Sequence, residues 1–247
     1  MALTRLYVSD QLQPGKELQL REEQARYVGR ALRLRAGNAL TIFNGKDGEF
    51  EAIVATISKF SVTVEIGERR DSAAESPLKV HLVQGISRGD RMDFIVQKAT
   101  ELGVKRISPV LTEYGVIKLD ATRAGKRRDH WRKVAESACE QSGRIRPPLI
   151  DVPMPLNAWF GNKTEDADID LILQPGVATT LTSLAAPKTK VCILIGPEGG
   201  FSPAELENAV IAGFAGVSLG PRILRTETAA LAALAIVQSL WGDLRLD

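Results

Sequence analysis

Up to about residue 70, apolar and polar positions alternate with a period of two, which is typical of strands with one buried face. Strands are predicted at residues 40–43, 51–57 and 61–66, with Asn44-Gly45 and Asp47-Gly48 as hairpin turn signals. One helix is predicted among them, over residues 22–34, because its apolar positions fill one arc of a helical wheel. The first part of the chain is therefore predicted to be β-rich.

After a polar stretch of small residues at 68–77, the pattern changes to alternating strands and helices. A βαβ unit is predicted from the strand at 79–84 and the helix at 90–102 to the strand at 106–111. A basic helix at 122–142 and strands at 170–173, 191–195 and 217–219 follow. The sequence thus predicts a β-rich domain at 1–70, a linker at 71–77 and an α/β domain with a mostly parallel sheet at 78–247.

Composition agrees with two globular domains, because 44% hydrophobic and 25% charged residues suffice for buried cores and exclude wholesale disorder. The longest apolar run, 229–237, is about half of what a membrane span needs, and the N-terminus lacks the apolar core of a signal peptide. We expect a cytoplasmic protein without membrane contact. Two cysteines and two histidines, far apart in the chain, predict neither a disulfide framework nor a metal site.

Basic residues are concentrated locally although the net charge is only +2. Residues 121–148 hold eight Lys or Arg against three Asp or Glu. In the predicted helix 22–34, Arg26, Arg30 and Arg33 fall within about a sixth of a turn of one another. A solvated face explains such a stripe as well as a phosphate contact does. Arg35 and the basic residues at 121–148 favour contact with RNA over a solvated face.

A strand runs into a glycine-rich loop and a helix at residues 195–205. Ser202, Pro203 and Glu205 predict a capping box with proline in the first turn, which fixes the loop against a helix start. Glycines allow a ligand to touch backbone, but Glu198 would repel phosphate. A cationic ligand such as S-adenosylmethionine fits better. A tight turn without a ligand is the alternative.

The segment 219–228 repeats this construction, and loops at the carboxyl ends of neighbouring parallel strands converge on one crevice. If Thr226 is the N-cap and Glu227 the partner of the helix dipole, these roles explain part of the polar sequence in this segment. Those roles leave Arg222 and Arg225 unexplained, which favours a ligand site.

These two segments, with 171–175 as a third loop, resemble the cofactor-binding motifs of the SPOUT methyltransferases, and among them the RsmE family. The likeness also covers 5–8, 33–37, 98–104, 139–144 and 242–244, and so runs through nearly the whole chain. That family methylates N3 of a uridine in small-subunit (16S) ribosomal RNA. Some relatives have His where this chain has Gln174, which argues against a catalytic histidine there.

The resemblance implies an N-terminal PUA-like β-barrel and a C-terminal SPOUT α/β domain with a trefoil knot, acting as a homodimer on 16S rRNA in an assembled or late-assembly small subunit. The apolar helix 228–240 is compatible, since it must be buried by the knot, a partner subunit or both. Two rivals stay open: an RNA-binding protein without enzymatic activity, and a SPOUT methyltransferase that acts on transfer RNA.

The motifs and the resemblance together predict three groups of site residues. Arg225 is expected to stabilise the anion of the uracil imide, and Glu198 and Glu227 are alternative bases. The cofactor S-adenosylmethionine is expected to contact Leu173, Gln174, Pro175, Ile195, Gly196, Pro197, Glu198, Gly199, Gly200, Leu219, Gly220, Arg222, Ile223, Leu224, Thr226, Thr228 and Ala229. RNA is expected to contact Arg26, Arg30, Arg33, Arg35, Arg91, Lys98, Glu101, Gln141, Arg144 and Arg146.

Overall fold

The computed structural model describes residues 4–58, 61–71, 74–163 and 167–244. The chain forms two compact units, the first from Met1–Glu75 with Cys139–Pro147 and the second from Ser76–Ala138 with Pro148–Asp247. The predicted domain boundary puts 139–147 in the second domain. This segment groups with the first unit because Arg5 donates to the carbonyls of Gly143 (3.1 Å) and Arg144 (2.9 Å).

The first unit is built on a five-stranded sheet in the order β1-β3-β4-β5-β2. β1 pairs parallel with β3, and the other pairs are antiparallel. The predicted hairpins are confirmed, and two short strands that the pattern did not reveal are added. The bounds are β1 (Arg5–Tyr7), β2 (Glu17–Gln19), β3 (Ala39–Phe43), β4 (Glu49–Ile57) and β5 (Val62–Arg70).

The helix predicted at 22–34 is shorter and changes type. α1 (Glu22–Arg26) continues as a π-helical turn, Tyr27–Ala31, in which the Leu32 N–H donates to the Tyr27 carbonyl at 3.0 Å. Arg33 lies beyond it with a positive φ of 54°. The 3.6-residue period behind the predicted arginine stripe therefore holds only as far as Arg26.

The second unit is an α/β domain, as predicted. Its sheet has the order β12-β10-β11-β6-β7-β8, with β9 also paired to β7, and every described strand pair is parallel. The strands are β6 (Lys79–Gly85), β7 (Arg106–Leu111), β8 (Leu149–Ile150), β9 (Met154–Pro155), β10 (Ile169–Leu173), β11 (Lys190–Ile195) and β12 (Ala215–Val217). The helices are α2 (Arg91–Glu101), α3 (Ala121–Ser142), α4 (Leu156–Gly161), α5 (Pro203–Ile211) and α6 (Thr226–Trp241).

Helices cover both faces of this sheet, which explains why its central strands are apolar at successive positions. On β11, Val191 and Ile193 pack into the core with α2 and α6, whereas Cys192 and Leu194 pack into the core with α4 and α5. The predicted burial of α6 is confirmed on one face of the helix, where Ala233 and Val237 are fully buried. Its other positions are largely half-buried, and both the knot and the homodimer stay predictions.

None of the described helices is long and apolar enough to cross a membrane. Likewise, the described residues contain no cluster of three or more His, Cys, Asp or Glu side chains that could hold a metal ion.

A partly buried polar network lies near the start of β6. The Nε2 atom of His81 is 2.7 Å from Oγ of Ser108, which donates to Asp151 at 2.5 Å, and Arg106 donates to the same carboxylate at 2.8 Å. Burial, reinforced by the charge of Arg106, lowers the pKa of His81 from 6.5 to about 4. The folded protein therefore keeps His81 neutral at pH values where the unfolded chain protonates it.

This difference predicts a pH-dependent stability. Because the folded pKa of His81 is depressed, its contribution is complete above about pH 6.5 and is lost as the pH falls towards 4. The loss amounts to at most about 3 kcal/mol. We expect His81→Gln to flatten the dependence of the unfolding free energy on pH between 6.5 and 4.5, measured by urea denaturation. An unchanged slope in the variant would contradict the assignment.

Candidate functional site

The second unit contains a cavity of about 630 Å³ at the carboxyl edge of its sheet. The ends of β10, β11 and β12 and the first turn of α6 form its walls, as expected for a parallel sheet. The three predicted catalytic residues line it. So do all predicted cofactor contacts except Gly199 and Thr228. The cavity is also lined by four residues that are not among the predicted contacts, Phe201, Leu206, Val217 and Ser218.

The loop after β11 is fixed by the predicted capping box, which is confirmed. Ser202 accepts a hydrogen bond from the Glu205 N–H at 3.2 Å, and Glu205 accepts one from the Ser202 N–H at 2.9 Å. The second oxygen of Glu205 accepts the Glu113 N–H at 2.8 Å. Glu205, only 4% exposed, therefore ties the start of α5 to the loop after β7.

Two glycines are required by close packing behind the cavity wall. A Cβ on Gly85 would lie 2.4 Å from Cδ of Pro197, and one on Gly199 would lie 2.7 Å from the carbonyl oxygen of Tyr114. Gly199 thus faces the loop after β7 and is absent from the cavity lining. Its packing explains the residue without a ligand contact.

A buried hydrogen-bond chain joins three elements at the site. Gln84, at the end of β6 and fully buried, donates from Nε2 to Oγ1 of Thr226 at 3.0 Å. Thr226 in turn donates to the carbonyl of Gly196 at 2.6 Å. The N-cap of α6 is Arg225, so Thr226 is the first helical residue and not the N-cap. Its hydroxyl fastens the first glycine loop to α6.

Arg91 links two carboxylates of the site. Its guanidinium lies 2.5 Å from Glu198 and 3.9 Å from Glu227, and the backbone N–H of Arg88 also donates to Glu198 at 3.2 Å. Partial burial opposes ionisation of Glu198, but the loop's own backbone N–H and the donors from Arg91 and Arg88 outweigh it and lower its pKa. Glu198 is therefore held as an anion.

Arg222 and Arg225 line the same cavity and are exposed. Among the described residues, neither forms an ion pair. Their charges are therefore available to an anionic group of a ligand or to an RNA phosphate.

The predicted RNA contacts are spread over both units. In the first unit, Arg26, Arg30, Arg33, Arg35, Gln141 and Arg146 are exposed. Arg26 pairs with Glu22 at 2.7 Å, and in the second unit Lys98 pairs with Glu101 at 2.8 Å. The first pair is exposed and the second is partly buried, so both are open to exchange with phosphate.

Arg144 departs from the predicted role. It is 2% exposed, and its guanidinium binds Glu75 at 3.1 Å. Glu75 also accepts the N–H groups of Ile145 and Arg146. A buried, paired guanidinium does not reach RNA, so Arg144 holds the 139–147 segment in the first unit. The sequence did not reveal this because the partner carboxylate is far away in the chain.

Comparisons with known proteins match both units. A family model described as RNA methyltransferase domain matches residues 74–238, and one described as RNA methyltransferase PUA domain matches residues 20–67. The ribosomal RNA small subunit methyltransferase E of Buchnera aphidicola is 35% identical over 98% of this chain and 96% of its own. The chain belongs to this methyltransferase E family.

Solved structures of similar chains have the same fold. The Neisseria gonorrhoeae methyltransferase E bound to S-adenosylmethionine is 37% identical, with a TM-score of 0.92 over 99% of this chain and 100% of its own. A Legionella pneumophila protein in complex with the same cofactor is 39% identical, with a TM-score of 0.94 over the same shares. The predicted fold class is confirmed as a PUA-like domain followed by an α/β RNA methyltransferase domain.

The hydrogen-bond chain at Thr226 predicts a measurable loss of stability. We expect Thr226→Val to lower the unfolding free energy by about 1–3 kcal/mol, because Gln84 and the Gly196 carbonyl each lose a buried partner. Thr226→Ser keeps the hydroxyl and should cost less than about 1 kcal/mol. Thr228→Val, the same change at an exposed position, is the control for urea denaturation. Equal losses in the two valine variants would rule out the bridging role.

Proposed function

We propose that this chain transfers a methyl group from S-adenosylmethionine to N3 of a uridine in small-subunit ribosomal RNA. The observation that carries the proposal is the cavity at the carboxyl edge, where two glycine loops, two carboxylates and three arginines meet. Members of the same family were solved with S-adenosylmethionine bound, and they superimpose on nearly the whole chain.

The cavity fits this cofactor in size and chemistry. A volume of about 630 Å³ lies in the range of small-molecule sites. Leu173, Ile195 and Leu219 supply apolar walls, and the loops at Gly196 and Gly220 present backbone for polar contacts. Glu198 and Glu227 face a ligand that carries a sulfonium and an ammonium group, and they would repel phosphate.

When bound, S-adenosylmethionine supplies a methyl group activated by its sulfonium. The main task of the protein is then to hold the acceptor nitrogen in line with that methyl group, and such positioning can supply roughly 7–11 kcal/mol. Thr226 and Gln84 serve it by fixing the first loop and α6 in one arrangement.

Methylation at N3 requires that the imide proton of uracil leaves. The exposed guanidinium of Arg225, unpaired among the described residues, can stabilise the negative charge that develops on the base. The first unit supports RNA binding through its match to a PUA domain and its exposed arginines. A base in structured RNA must also be unstacked, at a cost of a few kcal/mol.

The position of methylation is testable directly. The chain is incubated with labelled S-adenosylmethionine and small subunits from a strain that lacks the enzyme, and the labelled nucleotide is identified by mass spectrometry. We expect N3-methyluridine, which also stops reverse transcription because its pairing edge is blocked. Label on a ribose, on C5 or only on transfer RNA would refute the proposal.

The role of Arg225 is tested separately in the same assay. Arg225→Gln should reduce the rate of methyl transfer at least a hundredfold.

Ile223 provides a separate test of the cofactor site. It lines the cavity, yet 86% of it is exposed, so a bound ligand would bury its side chain. We expect Ile223→Ser to weaken binding of S-adenosylhomocysteine about tenfold by calorimetry, without a change in thermal stability.

Ile211→Ser is the matched control, because Ile211 is 77% exposed on α5 and absent from the lining of this cavity. Equal affinities of the two variants for S-adenosylhomocysteine would place the cofactor elsewhere.

A further inference from the structure

A second cavity, of about 640 Å³, adjoins the first within the second unit. It is lined by Arg88, Gly89, Asp90, Arg91, Phe94 and Glu227. Two of these residues, Arg91 and Glu227, line the first cavity as well. The two spaces therefore meet at one wall, which is the arrangement that a transfer between two bound ligands requires.

The lining of the second cavity suits a nucleotide. Phe94, in the first turn of α2, leaves 44% of its surface exposed, and an exposed aromatic ring is a stacking platform for an unstacked base. Arg88 is exposed, and among the described residues its guanidinium forms no ion pair, so it can bind a phosphate. Gly89 has a positive φ of 59° and leaves the backbone open to close approach.

The two carboxylates, Glu198 and Glu227, differ in which cavity they line. Glu198 lines only the first cavity and is engaged by Arg91 and by the Arg88 N–H. Glu227 lines both cavities, and its nearest approach to Arg91 is 3.9 Å. One of its oxygens, Oε2, is buried without a hydrogen-bond partner. The Glu227 side chain as a whole is 19% exposed, so an incoming N–H group can approach the carboxylate and supply the donor that this oxygen lacks.

We propose that the second cavity receives the acceptor uridine, with its base stacked on Phe94, its phosphate at Arg88 and its N3–H directed to Glu227. This rests on the proposed function. The N3–H bond breaks, the proton goes to the Glu227 carboxylate, and the electron pair left on N3 forms the bond to the methyl carbon. The carbon–sulfur pair stays on sulfur as a neutral thioether, and Glu227 later releases its proton to water.

The stacking role is tested with Phe94→Leu, which keeps apolar bulk but removes the ring face. We expect the KM for RNA to rise about tenfold, with thermal stability and the Kd for S-adenosylhomocysteine unchanged. Phe94→Tyr should recover most of the lost RNA affinity. Val210→Ala is the surface control, since Val210 is 68% exposed and outside the lining of both cavities.

The proton-accepting role is tested by comparing Glu227→Gln with Glu198→Gln. We expect Glu227→Gln to lower kcat at least a hundredfold, with RNA binding retained in an equilibrium assay with S-adenosylhomocysteine present. Glu198→Gln should mainly weaken binding of S-adenosylhomocysteine. A larger loss of kcat in the Glu198 variant would overturn the assignment of Glu227.

The outcomes separate this inference from the proposed function. If Phe94→Leu weakens the binding of S-adenosylhomocysteine and leaves the KM for RNA unchanged, the second cavity belongs to the cofactor. If the variant changes neither constant, the cavity does not receive the acceptor. If the wild-type protein methylates no RNA, the proposed function itself fails.

Discussion

The hydroxyl group of Thr226 determines the geometry of the site, because it connects segments that are remote in sequence. It accepts a hydrogen bond from Gln84 at the end of β6 and donates one to Gly196 after β11, while its own backbone begins α6. Gln84 and Thr226 are buried, so water cannot replace a partner lost between them. The two glycine loops therefore keep one relative arrangement without a ligand, which lowers the entropic cost of binding one.

The parallel sheet explains why this bridge can exist. Gln84 and Ile195 are direct partners in the register of β6 and β11, so both strands end at the same level. The residue after Ile195 is then placed beside Gln84, and α6 starts above them. Glu205 likewise connects the start of α5 to the neighbouring strand, since it accepts a hydrogen bond from the backbone N–H of Glu113 just after β7. Site geometry thus follows from strand register together with a few buried side chains.

Local patterns made much of the site predictable. The capping box at Ser202 and Glu205 depends on residues three apart, and the glycine loops follow apolar strands directly. Gln84 escaped notice because its role depends on partners more than a hundred residues away. The one available signal was a glutamine at the end of an apolar strand. Arg144 was misassigned for the same reason, since its partner Glu75 is remote.

The π-helical turn after Arg26 shows a different limit. Sequence periodicity assumes 3.6 residues per turn, and nothing in the pattern of 22–34 marks the wider turn. The knot and the homodimer were expected from resemblance alone and stay predictions, because a single chain's hydrophobic pattern does not distinguish burial by itself from burial by a partner. Half-buried positions on α6, such as Leu231 and Ile236, are compatible with either.

Arg91 places the two cavities in electrostatic contact. Its guanidinium is balanced by Glu198, which lines only the first cavity, and lies near Glu227, which lines both. At the proposed binding sites, a cationic ligand in the first cavity would compete with Arg91 for Glu198, and an anionic phosphate near Arg88 would attract the freed guanidinium. Binding of either ligand therefore changes the electrostatic free energy of the other, and this coupling must be equal in both directions. A guanidinium released from Glu198 by the first ligand favours binding of the second. Glu198, Glu227 and Arg91 therefore act as one unit.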